Sequence, residues 1–170
     1  METTVIVGTQ GECVLKASVT GTLYLEGIGF RYEGEGPADV VVVRAQEMEI
    51  ISCSFTGAIG NSSRMSWAGL MIVGETEGVV RHCLANNNRG EGITVGEAAA
   101  VTVEACTCSD NSGCGIAYIG SAEGLIRENF CENNGQAGIA VGEQASPQVS
   151  SNLCSGNNYG IWVIQLATPT

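Results

Sequence analysis

A chain of 170 residues is long enough for one domain with a sizeable core, and this one sets 18 Asp plus Glu against 7 Lys plus Arg, a net charge of −11. That balance lacks the basic face that nucleic acid and anionic membrane surfaces require, so neither is expected as a partner. With 24 glycines and only 5% aromatic residues, the composition suits many turns around a slender interior. In chain order, Thr-Val-Ile-Val-Gly at 4–8 reads as a strand, and residues 11–20 and 22–30 continue the pattern. Ile28 and Phe30 stand where Cys53 and Phe55 recur 25 residues later. Glu-Gly-Glu-Gly-Pro at 33–37 is a turn rich in breakers, and Val40 to Val43 is the most continuous apolar strand. Ile50 to Phe55 matches Val80 to Ala85 at a spacing of 30, and the excess falls in a loop within 58–68 bearing Asn61, Ser62, Ser63, Arg64 and Trp67. An insertion in a repeat array projects from one face, which makes Trp67 a ligand candidate; a ring laid over the side of the scaffold is the other reading.

From residue 69 onward one pattern returns every 23 positions. Gly69, Gly92, Gly115 and Gly138 keep that step, Gly160 arrives one residue early, and each precedes Leu or Ile. Val80, Val103, Ile126 and Val149 form an apolar column; Cys83, Cys106, Asn129 and Asn152 form another. Ala85, Cys108, Cys131 and Cys154 follow, then Asn88, Asn111, Asn134 and Asn157. Short alternating runs such as Gly-Ile-Thr-Val (92–95) and Val-Thr-Val-Glu (101–104), separated by Gly, Asn and Ser, are strand and turn chemistry. Three short strands per coil, paired to the next coil about 4.8 Å away, make every column a stack of like side chains. The expected architecture is all-β, a single-stranded parallel β-helix of about seven coils. On this reading the glycines serve turns of positive φ, the asparagines hydrogen-bond along a ladder, and the small cysteines fill the core. The Leu-x-x-Leu-x-Leu spine of leucine-rich repeats is absent.

The segments 124–134 (Gly-Leu-Ile-Arg-Glu-Asn-Phe-Cys-Glu-Asn-Asn) and 146–161 (Ser-Pro-Gln-Val-Ser-Ser-Asn-Leu-Cys-Ser-Gly-Asn-Asn-Tyr-Gly-Ile) resemble right-handed parallel β-helix repeats, the pectate-lyase-like kind also called carbohydrate-binding and sugar-hydrolase repeats. They are similar to the substrate-binding β-helix of certain F-box proteins and to repeats of bacterial β-helix proteins. The resemblance covers 69–170 well and 20–68 loosely, and implies a right-handed coil with a protein or carbohydrate ligand. It does not choose a chemistry, because this fold hosts lyases, hydrolases, adhesins and binding scaffolds. We expect one β-helix domain over 1–170, irregular through 68 and regular from 69 to 170, cut from a longer protein or closed at its ends by a partner or a second copy.

Eight cysteines could suggest a disulfide framework, but the parallel Cβ vectors of a ladder fit that bond poorly, so they read as buried free thiols. Unpaired thiols favour the cytoplasm. Residues 1–7 hold no basic residue and no apolar run of signal-peptide length, and no stretch approaches a membrane span. Cys106, Cys108 and Cys114 lack a Cys-x-x-Cys pair and the lone His82 lies a coil away, so no metal or other cofactor is expected. Asp39 and Asp110 are the only aspartates and lie far apart, which fits neither the calcium sites of the lyases nor the Asp group of the hydrolases that the resemblance brings to mind. Glu75, Glu97, Glu123 and Glu143 are the best carboxylate row, and Glu97 and Glu143 match in register two coils apart, about 9.6 Å by the strand spacing. They are the pair to test for glycosidase chemistry. Arg81, Glu104, Arg127 and Ser150 would alternate in sign along the axis as a register device. Leu84, Thr107, Phe130 and Leu153 would face outward on one sheet and Trp162 on another, an exposed apolar surface suited to a ligand. The function expected is a non-catalytic binding or scaffolding module; a carbohydrate-active enzyme and a stalk assembling end to end are the alternatives.

Overall fold

The computed structural model describes residues 4–60 and 67–170; Asn61, Ser62, Ser63 and Arg64 of the inserted loop lie outside them. Among the described residues the chain winds through three parallel sheets in a fixed rotation. Sheet A stacks seven strands from Thr4–Gly8 to Leu153–Ser155. Sheet B stacks seven from Leu15–Ser18 to Tyr159–Val163, and sheet C six from Thr22–Glu26 to Gln148–Ser150. Each strand hydrogen-bonds to its counterparts one coil before and one coil after, so the molecule is a β-solenoid of about seven coils.

Stacked register makes the interior. In sheet C, Leu25, Ile50, Val80, Val103, Ile126 and Val149 lie one above another. In sheet A the column begins Ile6, Phe30, Phe55 and narrows to Ala85, Cys108, Cys131 and Cys154. Phe30 and Phe55 stack with ring centroids 5.9 Å apart. The small residues of the later coils make room for Tyr118, fully buried on sheet B, whose hydroxyl donates to Val101 O at 2.6 Å. The inserted segment sits where the spacing of 30 places it, between the strands Ser54–Thr56 and Ala68–Ile72.

The glycine column needs a different reason from the one the sequence suggested. Gly69, Gly92 and Gly138 lie within strands of sheet B, and no residue of that column is in the left-handed region. Close approach is the constraint: a Cβ on Gly92 would meet Gly115 O at 2.5 Å, and one on Gly115 would meet Gly138 O at 2.7 Å. Apart from Gly78 and Gly124 inside sheet C, left-handed backbone sits instead at the corners, and side chains other than hydrogen occupy most of it. The corner from sheet C to sheet A carries Ser52, His82, Ala105, Glu128 and Ser151 at φ of 49–56°. The corner from A to B carries Asn87, Asp110 and Asn133, and that from B to C carries Gly74, Glu97, Gly120, Glu143 and Gln165.

Two ladders satisfy buried corner backbone that has no partner in its own coil. In the first, Asn88 Nδ2 donates to Asn111 Oδ1, Asn111 Nδ2 to Asn134 Oδ1 and Asn134 Nδ2 to Asn157 Oδ1, each at 2.9 Å. The second runs Cys53, Cys83, Cys106, Asn129, Asn152. Cys106 Sγ donates to Val80 O at 3.6 Å, while Asn129 Nδ2 makes the equivalent bond to Val103 O at 2.9 Å. Thiols therefore stand in for amides, with longer and weaker bonds. The cysteines of the described structure are free. A thiol hydrogen bond with Cys106 is the largest influence pushing Cys83 up to about 12, and Cys53, Cys131 and Cys154 are raised chiefly by their thiol neighbours. These groups stay protonated and act as core. Cys106→Asn extends the amide ladder by one rung, and thermal unfolding should show stability maintained or raised by up to about 1 kcal/mol; Cys106→Ala should lower it.

Candidate functional site

The outer face of sheet B holds an apolar cluster separate from the core. Cys114, Ala117, Ala137 and Ala140 form it, and Trp162 packs against it. Register explains the shape: Thr94, Ala117, Ala140 and Trp162 share one column, and Ala137 stands opposite Tyr159. Small residues thus give way to two aromatic rings in a single coil step. The rings of Tyr159 and Trp162 stack at 5.4 Å and 18°. The step leaves a groove of about 230 Å³ with Ala117, Ala140 and Gly142 beneath and Trp162 and Ile164 along one side. Tyr159, beyond Trp162, is 54% exposed.

The rim is polar and rich in acceptors: Glu91, Gln136 and Glu143 line it. Glu91 Oε2 accepts the Trp67 backbone N–H at 3.3 Å. Cys114 Sγ donates to Gln136 Oε1 at 3.8 Å, and burial pushes the Cys114 thiol up to about 11. Glu143 sits at the left-handed corner position after the sheet B strand, with Oε2 accepting Gly120 N–H at 2.8 Å. Its own N–H donates to Gln165 Oε1, the same tie made one coil later.

Glu97 and Glu143 share a column, with Gly120 between them. Glu97 does not line the groove. Its Oε2 accepts Gly74 N–H at 3.0 Å, and both its oxygens accept from Arg44 Nη2 at 2.9 Å, in a surface hollow with Val19 and Ala98. Two carboxylates spaced for glycosidase work in the sequence are thus corner ties in the fold, and they do not face one groove. Trp67 meets the groove's rim at Glu91, and its indole packs over Gly60, where a Cβ would meet Trp67 Cδ1 at 3.2 Å.

On sheet A, Leu84, Thr107, Phe130 and Leu153 do form an outward column. Leu84 is 47% and Leu153 58% exposed, and Phe130 is half-buried. Glu104 and Arg127 pair across sheet C at 2.6 Å, as alternation of sign anticipated; so exposed a pair is worth about 0–1 kcal/mol. Tyr159, Gln136 and Glu91 escaped the sequence reading. The signal for Tyr159 was present: it is the aromatic residue 22 positions after Ala137, as Trp162 is after Ala140.

Three parallel sheets wound in one rotation and a groove on an outer face define a β-helix repeat protein. Residues 35–170 match a family model described as a right handed beta helix region, and the chain belongs to that family. No curated protein and no solved structure matches it significantly. Among the described residues no helix is long and apolar enough to cross a membrane, and no three His, Cys, Asp or Glu gather as a metal would need.

Proposed function

We propose that the chain is a non-catalytic binding module that holds a glycan against the outer face of sheet B. One observation carries this reading: Trp162, its ring backed by Tyr159, flanks a groove lined by Ala117, Ala140 and Gly142. The faces of a sugar ring present C–H groups that lie flat on an aromatic ring, while its edge hydroxyls need hydrogen-bond partners such as Gln136 and Glu143 at the rim. A small floor lets the ring approach and an aromatic side orients it. Hydrolysis would need two groups whose environments drive their pKa values apart on either side of a scissile bond, and the matched pair Glu97 and Glu143 is divided between the groove and a separate hollow.

Trp162→Ala removes the stacking surface without touching the core cluster, so binding on a glycan array should weaken at least about tenfold while the melting temperature holds. Undiminished binding would defeat the reading. A protein ligand on sheet A is the second reading, favoured by the exposed Leu84 and Leu153. It predicts that Leu153→Ser, and not Trp162→Ala, abolishes capture of the ligand.

A further inference from the structure

We propose that the outer face of sheet C docks an extended, lysine- or arginine-rich peptide segment, at a site separate from the sheet B groove and independent of the glycan reading. The first three strands of that sheet leave a hollow of about 510 Å³, walled by Tyr24 and Val79 and rimmed by Glu47, Glu49 and Glu77. Tyr24 is 55% exposed, and its hydroxyl donates to Glu26 Oε2, which fixes the tip of the ring. Register places the carboxylates. Glu47 and Glu49 lie two residues apart on one strand, about 6.6 Å along it, and Glu77 pairs with Glu47 one coil on, about 4.8 Å away. Glu49 stands between Tyr24 and Val79 in the next column. Like charges directly opposite one another destabilise a sheet. The adjacent column of the same sheet avoids this by alternating Arg81, Glu104 and Arg127. The Glu47–Glu77 pair is therefore no register device, and a cationic partner relieves its repulsion. Charge names the occupant and spacing names its conformation. An extended peptide repeats side chains on one face every two residues, as Glu47 and Glu49 do, so cationic groups at i and i+2 meet both carboxylates. Another lies on the Tyr24 ring, where cation–π attraction adds to that of Glu49. Arg81, two residues beyond Val79, borders the site on that side. The net charge of −11 steers a basic segment toward the chain, and salt screens that attraction.

Fluorescence anisotropy of the full chain with a labelled heptapeptide that alternates lysine and serine gives the test. The comparison probes are an isomer with its lysines contiguous and a peptide with glutamate in place of lysine. The alternating peptide should bind, release as salt rises, and hold about threefold or more tighter than the isomer; the glutamate peptide should not bind. Tyr24→Ala and Glu49→Gln change exposed side chains, and each should weaken binding about two- to fivefold, the range for one exposed cation–π contact or ion pair. Glu47→Gln should weaken binding while raising the melting temperature, because it removes the like-charge pair; a merely structural glutamate would not combine the two. Trp162→Ala should leave peptide binding unchanged. Equal affinity for the two lysine isomers would reduce the face to general electrostatic attraction and overturn the proposal. So would binding that Tyr24→Ala and Glu49→Gln leave unaltered, or no binding at low salt, and none of these results bears on the sheet B groove.

Discussion

Asn111→Ala is expected to lower the unfolding free energy by about 3–5 kcal/mol, measured by urea or thermal unfolding. Asn111 is 2% exposed and sits at the middle of its ladder. Its Oδ1 accepts from Asn88 twice, from the backbone N–H at 3.2 Å and from Nδ2 at 2.9 Å. Its Nδ2 donates to Ala85 O and to Asn134 Oδ1, each at 2.9 Å. An alanine leaves the Asn88 N–H and the Ala85 carbonyl buried with no replacement, and each such group costs about 1–3 kcal/mol. It also opens a gap between stacked coils. Asn158 provides the contrast, because its exposed side chain donates to Gly135 O where water can substitute; Asn158→Ala should cost under about 1 kcal/mol. A loss at Asn111 as small as that at Asn158 would mean the ladder contributes little.

The second large effect is Gly124→Ala. Gly124 lies in sheet C with φ +119°, and an added Cβ would stand 2.0 Å from Val101 O and 2.6 Å from Val101 C. Both obstacles are backbone atoms locked in the neighbouring coil, so neither rotates aside. Steric conflict and left-handed strain add, and the variant should lose about 3–5 kcal/mol or fail to accumulate as folded protein. Gly78 holds the same register on the other side of Val101 and faces Met48 O at 2.0 Å, so it should behave alike. Gly11 separates the two causes. Its φ is +86° with nothing within 4 Å of a built Cβ, and Gly11→Ala should cost only the conformational term of about 1–2 kcal/mol.

The coil, its period and its columns were legible in the sequence because stacking forces like residues to recur at one spacing. Val80, Cys108 and Asn111 stand where that spacing puts them, and Phe55 stacks on Phe30 at the looser step of 25. The glycine column was located correctly and explained wrongly, since a sequence cannot distinguish a glycine kept for positive φ from one kept because a carbonyl passes within 3 Å. The same blindness hid the corners, where His82, Glu97, Ala105 and Glu128 adopt left-handed backbone that composition would assign to glycine or asparagine. The site was half visible. Alternation along the strand marks Trp162 as an outward aromatic ring, but it gives no such sign for Tyr159, and register alone puts Glu143 with Glu97. Register gives the column; it does not say that Glu97 turns to Arg44 while Glu143 borders the groove.

Amide NMR during titration with the glycan bound most strongly on the array tests the central claim most directly. Shifts confined to the outer face of sheet B, around Glu91, Ala117, Ala140 and Trp162, are the predicted result. Shifts gathered instead on the Leu84, Phe130 and Leu153 column of sheet A, or spread without a focus, would contradict it.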